Sequence, residues 1–218
     1  MIERIVPAEA ETAEAYGDLP EATLFPEEAL LVKSAVAQRR DEFTTARHCA
    51  RQALTRLGAP AGAILTGERG APLWPEDVVG SITHCAGYRA AVVARPAHAA
   101  AIGVDAEPAL PLPEGVLEAV ALPDEQIAVK ELLASAPGVA WDRLLFSAKE
   151  SVYKAWYPLT RRFLEFEEAR LVFDPAGGTF TAHLLAGPAR AGGRTLHTFD
   201  GRWLSDEGIV LTSVTVPA

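Results

Sequence analysis

Ala101-Ile102-Gly103-Val104-Asp105-Ala106-Glu107 reads as a strand, and Phe146-Ser147-Ala148-Lys149-Glu150-Ser151-Val152-Tyr153-Lys154 reads as a helix. In a strand, alternate side chains share a face, so Asp105 and Glu107 project together while Ile102 and Val104 point to the core. Paired carboxylates of this kind form a claw for a hard divalent cation. Mg²⁺ takes oxygen ligands and keeps positions open for phosphate oxygens, so two or three convergent carboxylates point to a phosphate-handling enzyme.

At about 100° per residue, the helix places Arg143, Ser147, Glu150 and Lys154 on one stripe. Trp141, Leu144, Leu145, Ala148, Val152, Ala155 and Trp156 form the opposite, apolar face. Pro158 is expected to stop this helix. Glu150 and Lys154 stand at i and i+4, so taken by themselves they also read as a solvated surface ion pair.

Working outward, Pro26-Glu27 opens one helical stretch, and a longer helix is expected from Gln38 to Leu57, with Gly58 as its stop. Phe43, Ala46, Ala50, Leu54 and Leu57 make its apolar face. Arg40, Arg47 and Arg51 flank that face, with Arg39 near the helix start; they either reach over a cleft or snorkel at a core edge. Three strand-like runs follow, Val78 to His84, Arg89 to Ala94 and Ala101 to Glu107, and are expected to form an antiparallel meander. Pro108, Pro111 and Pro113 then mark a boundary. Beyond it come helices at Pro123 to Ser135 and Trp141 to Tyr157, then strands at Ala169 to Phe173, Thr179 to Leu185, Leu196 to Leu204 and Gly208 to Val216. Helices followed by antiparallel strands thus occur twice. The expected fold is α+β, with two similar lobes at 1–107 and 108–218, each packing helices on a small antiparallel sheet, and a ligand cleft between them.

Composition narrows the function. The 218 residues carry a formal charge of -9, which argues against a nucleic-acid partner, since such partners need basic surfaces. No apolar run reaches the eighteen or so residues that span a bilayer, and the acidic N-terminus lacks signal-peptide features, so no membrane role and a cytoplasmic location are expected. Cys49 and Cys85 have no metal-site spacing and read as buried packing residues.

The two quoted stretches resemble the signature motifs of the 4′-phosphopantetheinyl transferases. Ser81-Ile82-Thr83-His84-Cys85-Ala86-Gly87-Tyr88, and Arg39-Arg40-Asp41-Glu42-Phe43 through Arg51, add two further matches that look especially like the discrete Sfp-type enzymes of actinobacteria. The resemblance spans nearly the whole chain, with all four motifs in order.

The resemblance implies transfer of the phosphopantetheine arm of coenzyme A to a serine of acyl or peptidyl carrier proteins, releasing adenosine 3′,5′-bisphosphate. It implies Mg²⁺ held by Asp105, Glu107 and Glu150, with Glu107 acting directly or through water. Glu150 would be the general base, directly or through a water, and Lys154 would stabilise the transferring phosphate. Arg39, Arg47 and His84 would meet the 3′-phosphate or pyrophosphate, with Ser81, Thr83 and Lys149 nearby. In Glu68-Arg69-Gly70-Ala71-Pro72, Arg69 replaces a family lysine at the adenine end. Arg161 and Arg162 are candidates for contact with acidic carriers, and a monomer is expected. An alternative is a Mg²⁺-dependent phosphohydrolase that uses water as nucleophile on coenzyme A or a related nucleotide. A non-catalytic carrier-binding module is disfavoured by the presence of Glu150 and Lys154.

Overall fold

The computed structural model describes residues 1–218. In chain order the elements are β1 (Glu11–Ala15), α1 (Pro26–Leu31), α2 (Ala37–Arg56), β2 (Val79–Cys85), β3 (Tyr88–Ala94), β4 (Ala101–Pro108), α3 (Val116–Val120), α4 (Pro123–Ser135) and α5 (Trp141–Thr160). They continue with β5 (Ala169–Asp174), β6 (Thr179–Leu184), β7 (Ala189–Ala191), β8 (Arg194–Leu196), β9 (Thr198–Asp206) and β10 (Ile209–Val216). The architecture is the expected α+β pair of lobes. The first holds a three-stranded antiparallel sheet in the order β1-β3-β2, with α2 on one face; the second holds a five-stranded antiparallel sheet in the order β4-β10-β9-β6-β5, with α5 across it.

One strand departs from the expected meander. β2 and β3 form the hairpin, but β4 pairs with β10, Asp105 lying opposite Thr212. The strand expected to close the first lobe therefore belongs to the second sheet, and the change of sheet falls between β3 and β4 instead of after residue 107. The physical reason is the edge of β2. It meets β4 through side chains: the Val104 N–H donates to Ser81 Oγ at 3.1 Å and the Ala106 N–H to Thr83 Oγ1 at 2.9 Å. Hydroxyls at alternate positions of β2 thus satisfy the Val104 and Ala106 amides of β4, pinning the seam between the lobes.

Three clusters make the core. Cys49, Ala50, Ala53 and Leu54 of α2 pack with Ile64, Ala91 and Val93 inside the first lobe. Trp141, Leu144, Leu145, Val152 and Trp156 of α5 pack on Phe180, Phe199, Val210 and Val214 in the second. The third cluster joins β3 to β4 and β10 through Tyr88, Val92, Ile102, Val104, Ala106 and Leu211. Cys49 and Cys85 are free thiols, both buried, as expected. No helix is long and apolar enough to cross a membrane.

Gly103 governs how closely α5 approaches β4. A Cβ there would stand 1.9 Å from Ser151 O and 2.7 Å from Ala155 N, so any side chain would push the helix off the strand. Pro158, expected to end α5, lies within it, and the helix runs to Thr160 before Arg161 turns it off at φ 55°. Pro158 forfeits one i→i−4 hydrogen bond, and only Leu159 and Thr160 of the helix follow it.

Gly103→Ala should cost about 3 kcal/mol or more through overpacking, measured by urea unfolding. Gly138→Ala, where a Cβ meets nothing within 4 Å, should leave stability unchanged or slightly raised.

Candidate active site

The carboxylates and their cations lie where α5 crosses β4. Lys154 Nζ donates to Asp105 Oδ1 at 2.6 Å and to Val104 O at 3.0 Å. The expected Glu150–Lys154 surface pair does not form: Lys154 turns to the strand instead. Arg143, three stripe positions further back, donates through Nη1 to Glu107 Oε2 at 3.0 Å, and anchors its other nitrogens on the carbonyls of Leu110 and Pro111. Ser147, also on the stripe, is fully buried and shares a hydroxyl contact of 3.0 Å with Thr212. The stripe is therefore half adhesive and half chemical.

Asp105 is buried to 6 % exposure, and its Oδ2 has no hydrogen-bond partner. Thr83 Oγ1 donates to its other oxygen at 3.4 Å. Burial, then the neighbouring Asp105, raises the Glu107 pKa above the usual carboxylate range, against the pull of Arg143. Glu150 is likewise raised by burial, with Lys154 opposing and Asp105 and Glu107 adding to the rise. The three carboxylates sense one another's charge without closing into a three-ligand cage. An orphaned buried oxygen beside two carboxyls that resist ionisation is the donor set a hard divalent cation relieves.

A second group sits at the first-lobe side. Arg39 Nη1 meets His84 Nε2, and Glu42 Oε2 lies 3.6 Å from His84 Nδ1. Burial first, and then Arg39, lower the His84 pKa to about 4, so its ring is neutral near pH 7. Arg47 is buried; Nε donates to Ile64 O at 2.9 Å and Nη2 to Thr66 Oγ1 at 3.2 Å, with its guanidinium 4.3 Å from the Phe43 ring centroid. It secures the 64–66 segment and leaves Nη1 uncommitted. Arg69, exposed and at φ 53°, stacks 5.0 Å from the Phe163 centroid, so its short turn reaches the second lobe. Glu68 beside it accepts a hydrogen bond from Tyr157 at 3.2 Å.

Three expected ligand contacts lie elsewhere. Ser81 and Thr83 spend their hydroxyls on the β2–β4 seam and are 4 % and 2 % exposed. Lys149 points away from the carboxylates. Its ammonium donates to Phe166 O at 2.7 Å and Ala169 O at 2.9 Å and pairs with Glu125 at 2.7 Å, side chains 1 % and 2 % exposed. All its donors are used inside the second lobe. Thr212, Glu42 and Arg89 complete the surroundings without having been assigned a role from the sequence. A charged Arg89 within the otherwise apolar run Tyr88–Ala94 was the available signal, because a buried guanidinium must have partners.

Comparison with known proteins agrees with this geometry. Residues 27–94 match the 4′-phosphopantetheinyl transferase N-terminal domain and 101–203 the 4′-phosphopantetheinyl transferase superfamily. Their division coincides with the change of sheet between β3 and β4. The chain belongs to the 4′-phosphopantetheinyl transferase family. It is 55 % identical to the 4′-phosphopantetheinyl transferase Svp of Streptomyces mobaraensis, over 100 % of this chain and 90 % of the relative. It is also 49 % identical to Npt of Nocardia iowensis, over 98 % and 99 %, and 48 % identical to PptT of Mycobacterium tuberculosis, over 94 % and 91 %.

Lys149→Met should cost about 3–5 kcal/mol in urea unfolding, since it strands a buried Glu125. Lys154→Met should cost less than half as much, because its side chain is 27 % exposed and water can replace the ammonium beside Asp105. Titration with coenzyme A should rank the two variants the other way, Lys154→Met losing more affinity.

Proposed function

We infer that the protein transfers the 4′-phosphopantetheine arm of coenzyme A to a serine hydroxyl of acyl or peptidyl carrier proteins. Family membership supports the reaction class, and the observation that carries the site is the orphaned, buried Oδ2 of Asp105, whose charge raises the pKa of both Glu107 and Glu150. Asp105, Glu107 and Glu150 would hold Mg²⁺. When bound, the ion neutralises charge on the pyrophosphate and on the departing phosphate.

The remaining steps belong to this chain's own groups. Lys154 spends two of its three ammonium hydrogens on Asp105 and Val104 O, leaving the third for an oxygen of the transferring phosphate. Glu150, with its raised pKa, is suited to take the serine proton, directly or through a water, because a base titrating closer to neutrality is better matched to that task. As the serine oxygen bonds to phosphorus, the bridging P–O bond of the pyrophosphate breaks and adenosine 3′,5′-bisphosphate leaves. Arg39 and His84, with Nη1 of Arg47, would meet the nucleotide phosphates, and Arg69 the adenine end. Exposed Arg161 and Arg162, just past α5, are candidate contacts for the acidic carrier. The enzyme is read as a monomer in the cytoplasm, and its free buried thiols suit a reducing compartment.

Intact-mass analysis of an apo carrier protein incubated with enzyme, coenzyme A and Mg²⁺ should show the mass gain of the phosphopantetheine arm. Asp105→Asn and Glu150→Gln should each lower the transfer rate on the order of 10²-fold or more with circular dichroism unchanged. Consumption of coenzyme A without carrier, and no mass gain with it, would instead establish the phosphohydrolase.

The pH dependence has a definite sign. A base must be ionised to act, so transfer should climb with pH as Glu150 deprotonates, and bound Mg²⁺ would bring that ionisation down from the raised pKa of the metal-free cleft. Glu150→Gln should abolish that limb of the pH–rate profile; its survival would assign the limb to another group.

A further inference from the structure

An anion pocket is an odd place for a carboxylate, yet Glu42 stands in the middle of this one, with its side chain 13 % exposed. It lies one helical turn after Arg39 on α2, so both reach the same end of the β2–β3 hairpin. There His84 and Arg89 are directly opposed across the two strands and share the face that α2 covers. Glu42 Oε2 faces His84 Nδ1 at 3.6 Å, and its Oε1 faces Arg89 Nη2 at 3.7 Å.

Arg89 is itself immobilised. It is 3 % exposed, pairs with Asp18 at 2.8 Å and donates to Cys85 O at 2.7 Å, and its Nε is buried without a partner. A guanidinium held so deep cannot reach a ligand, but it offsets the charge of Glu42 and keeps that carboxylate in place. The opposite edge of the His84 ring, Nε2, meets Arg39 Nη1. Both ring nitrogens are thus addressed, one by an acceptor and one by a donor.

We propose that Glu42 is a positioning residue for recognition of the coenzyme A 3′-phosphate: it takes the Nδ1 proton side of His84, so that Nε2 accepts from Arg39 and aims the Arg39 guanidinium at the phosphate. The ring turned this way is an acceptor at Nε2, and the four other guanidinium hydrogens of Arg39 remain for the anion. The groups facing His84 are Arg39 and Glu42 from α2, Arg89 from β3 and Lys154 from α5. Burial first, and then three cations against one carboxylate, keep the ring neutral, which this arrangement requires. The inference rests on placing the 3′-phosphate at Arg39 and His84.

Charge and positioning predict opposite signs. If Glu42 acted only through its charge, deleting it would remove a repulsion and tighten coenzyme A binding. If it positions Arg39 through His84, Glu42→Ala should weaken coenzyme A binding by about tenfold while 3′-dephospho-coenzyme A changes far less, and Glu42→Gln, which keeps an acceptor oxygen facing Nδ1, should stay near wild type. Isothermal titration of wild type, Glu42→Ala and Glu42→Gln with both ligands reads this directly. Nitrogen-15 NMR of His84 in the free wild-type enzyme adds a measurement that needs no variant, and should show the Nδ1–H tautomer. Tighter or unchanged coenzyme A binding by Glu42→Ala, or an Nε2–H tautomer in wild type, would overturn the proposal. Equal binding of the two ligands by wild type would overturn the underlying placement of the 3′-phosphate, a failure distinct from the first.

Discussion

The approach of α5 onto β4 at Gly103 is the constraint on which the rest of the structure depends. With no Cβ between them, the helix backbone at Ser151 lies against the strand, and that contact sets the reach of the side chains on either side of it. Lys154 spans the gap to Asp105 Oδ1, Arg143 spans it to Glu107, and Ser147 closes onto Thr212. Glu150 is thereby brought into the field of two strand carboxylates in a half-buried cleft, where charge–charge effects are stronger than on an open surface. The same Asp105 touches Thr83 of the first lobe through Oδ1, so its carboxylate sits at the junction of α5, β4 and the β2 seam.

Each lobe repeats one structural device, which explains what Lys149 does. In the first, Glu28 near the start of α1 accepts the Phe25 N–H, pairs with Arg51 of the long helix at 2.9 Å, and accepts the Ile64 N–H. In the second, Glu125 near the start of α4 accepts the Leu122 N–H, pairs with Lys149 of the long helix at 2.7 Å, and accepts the Leu171 N–H. Pro26 and Pro123 open the two short helices alike. A fully buried glutamate thus ties short helix, long helix and the following chain together in both lobes, and it tolerates burial because every lone pair it presents is matched. Lys149 is the counterpart of Arg51, and its neighbour Glu150 faces the chemistry.

Periodicity made the helices and strands legible, and alternation correctly turned Asp105 and Glu107 away from Ile102 and Val104. The two-lobe α+β fold follows from the repeated order of elements. What the sequence concealed was partner choice. Nothing in Ala101 to Glu107 says that it pairs with a strand near the C-terminus, because register between distant segments depends on surfaces that only the folded chain brings together. Ser81 and Thr83 looked like ligand contacts because hydroxyls serve both purposes; the β4 amides claimed them first. Lys149 and Glu150 are adjacent in sequence but about 100° apart around the helix, enough to send one into the core and the other to the cleft. Glu42 was visible within a basic motif, and only its distances to His84 and Arg89 give it a role.

The central claim is that the free oxygen of Asp105 is the first anchor for the metal that carries the coenzyme A pyrophosphate. Anomalous diffraction from crystals grown with coenzyme A and Mn²⁺, as a stand-in for Mg²⁺, addresses it most directly. The account predicts an anomalous peak about 2.1 Å from Asp105 Oδ2, with Glu107 and Glu150 turned toward it directly or through water. A pyrophosphate ordered in the cleft with the ion held elsewhere, and Asp105 Oδ2 still without a partner, would contradict it.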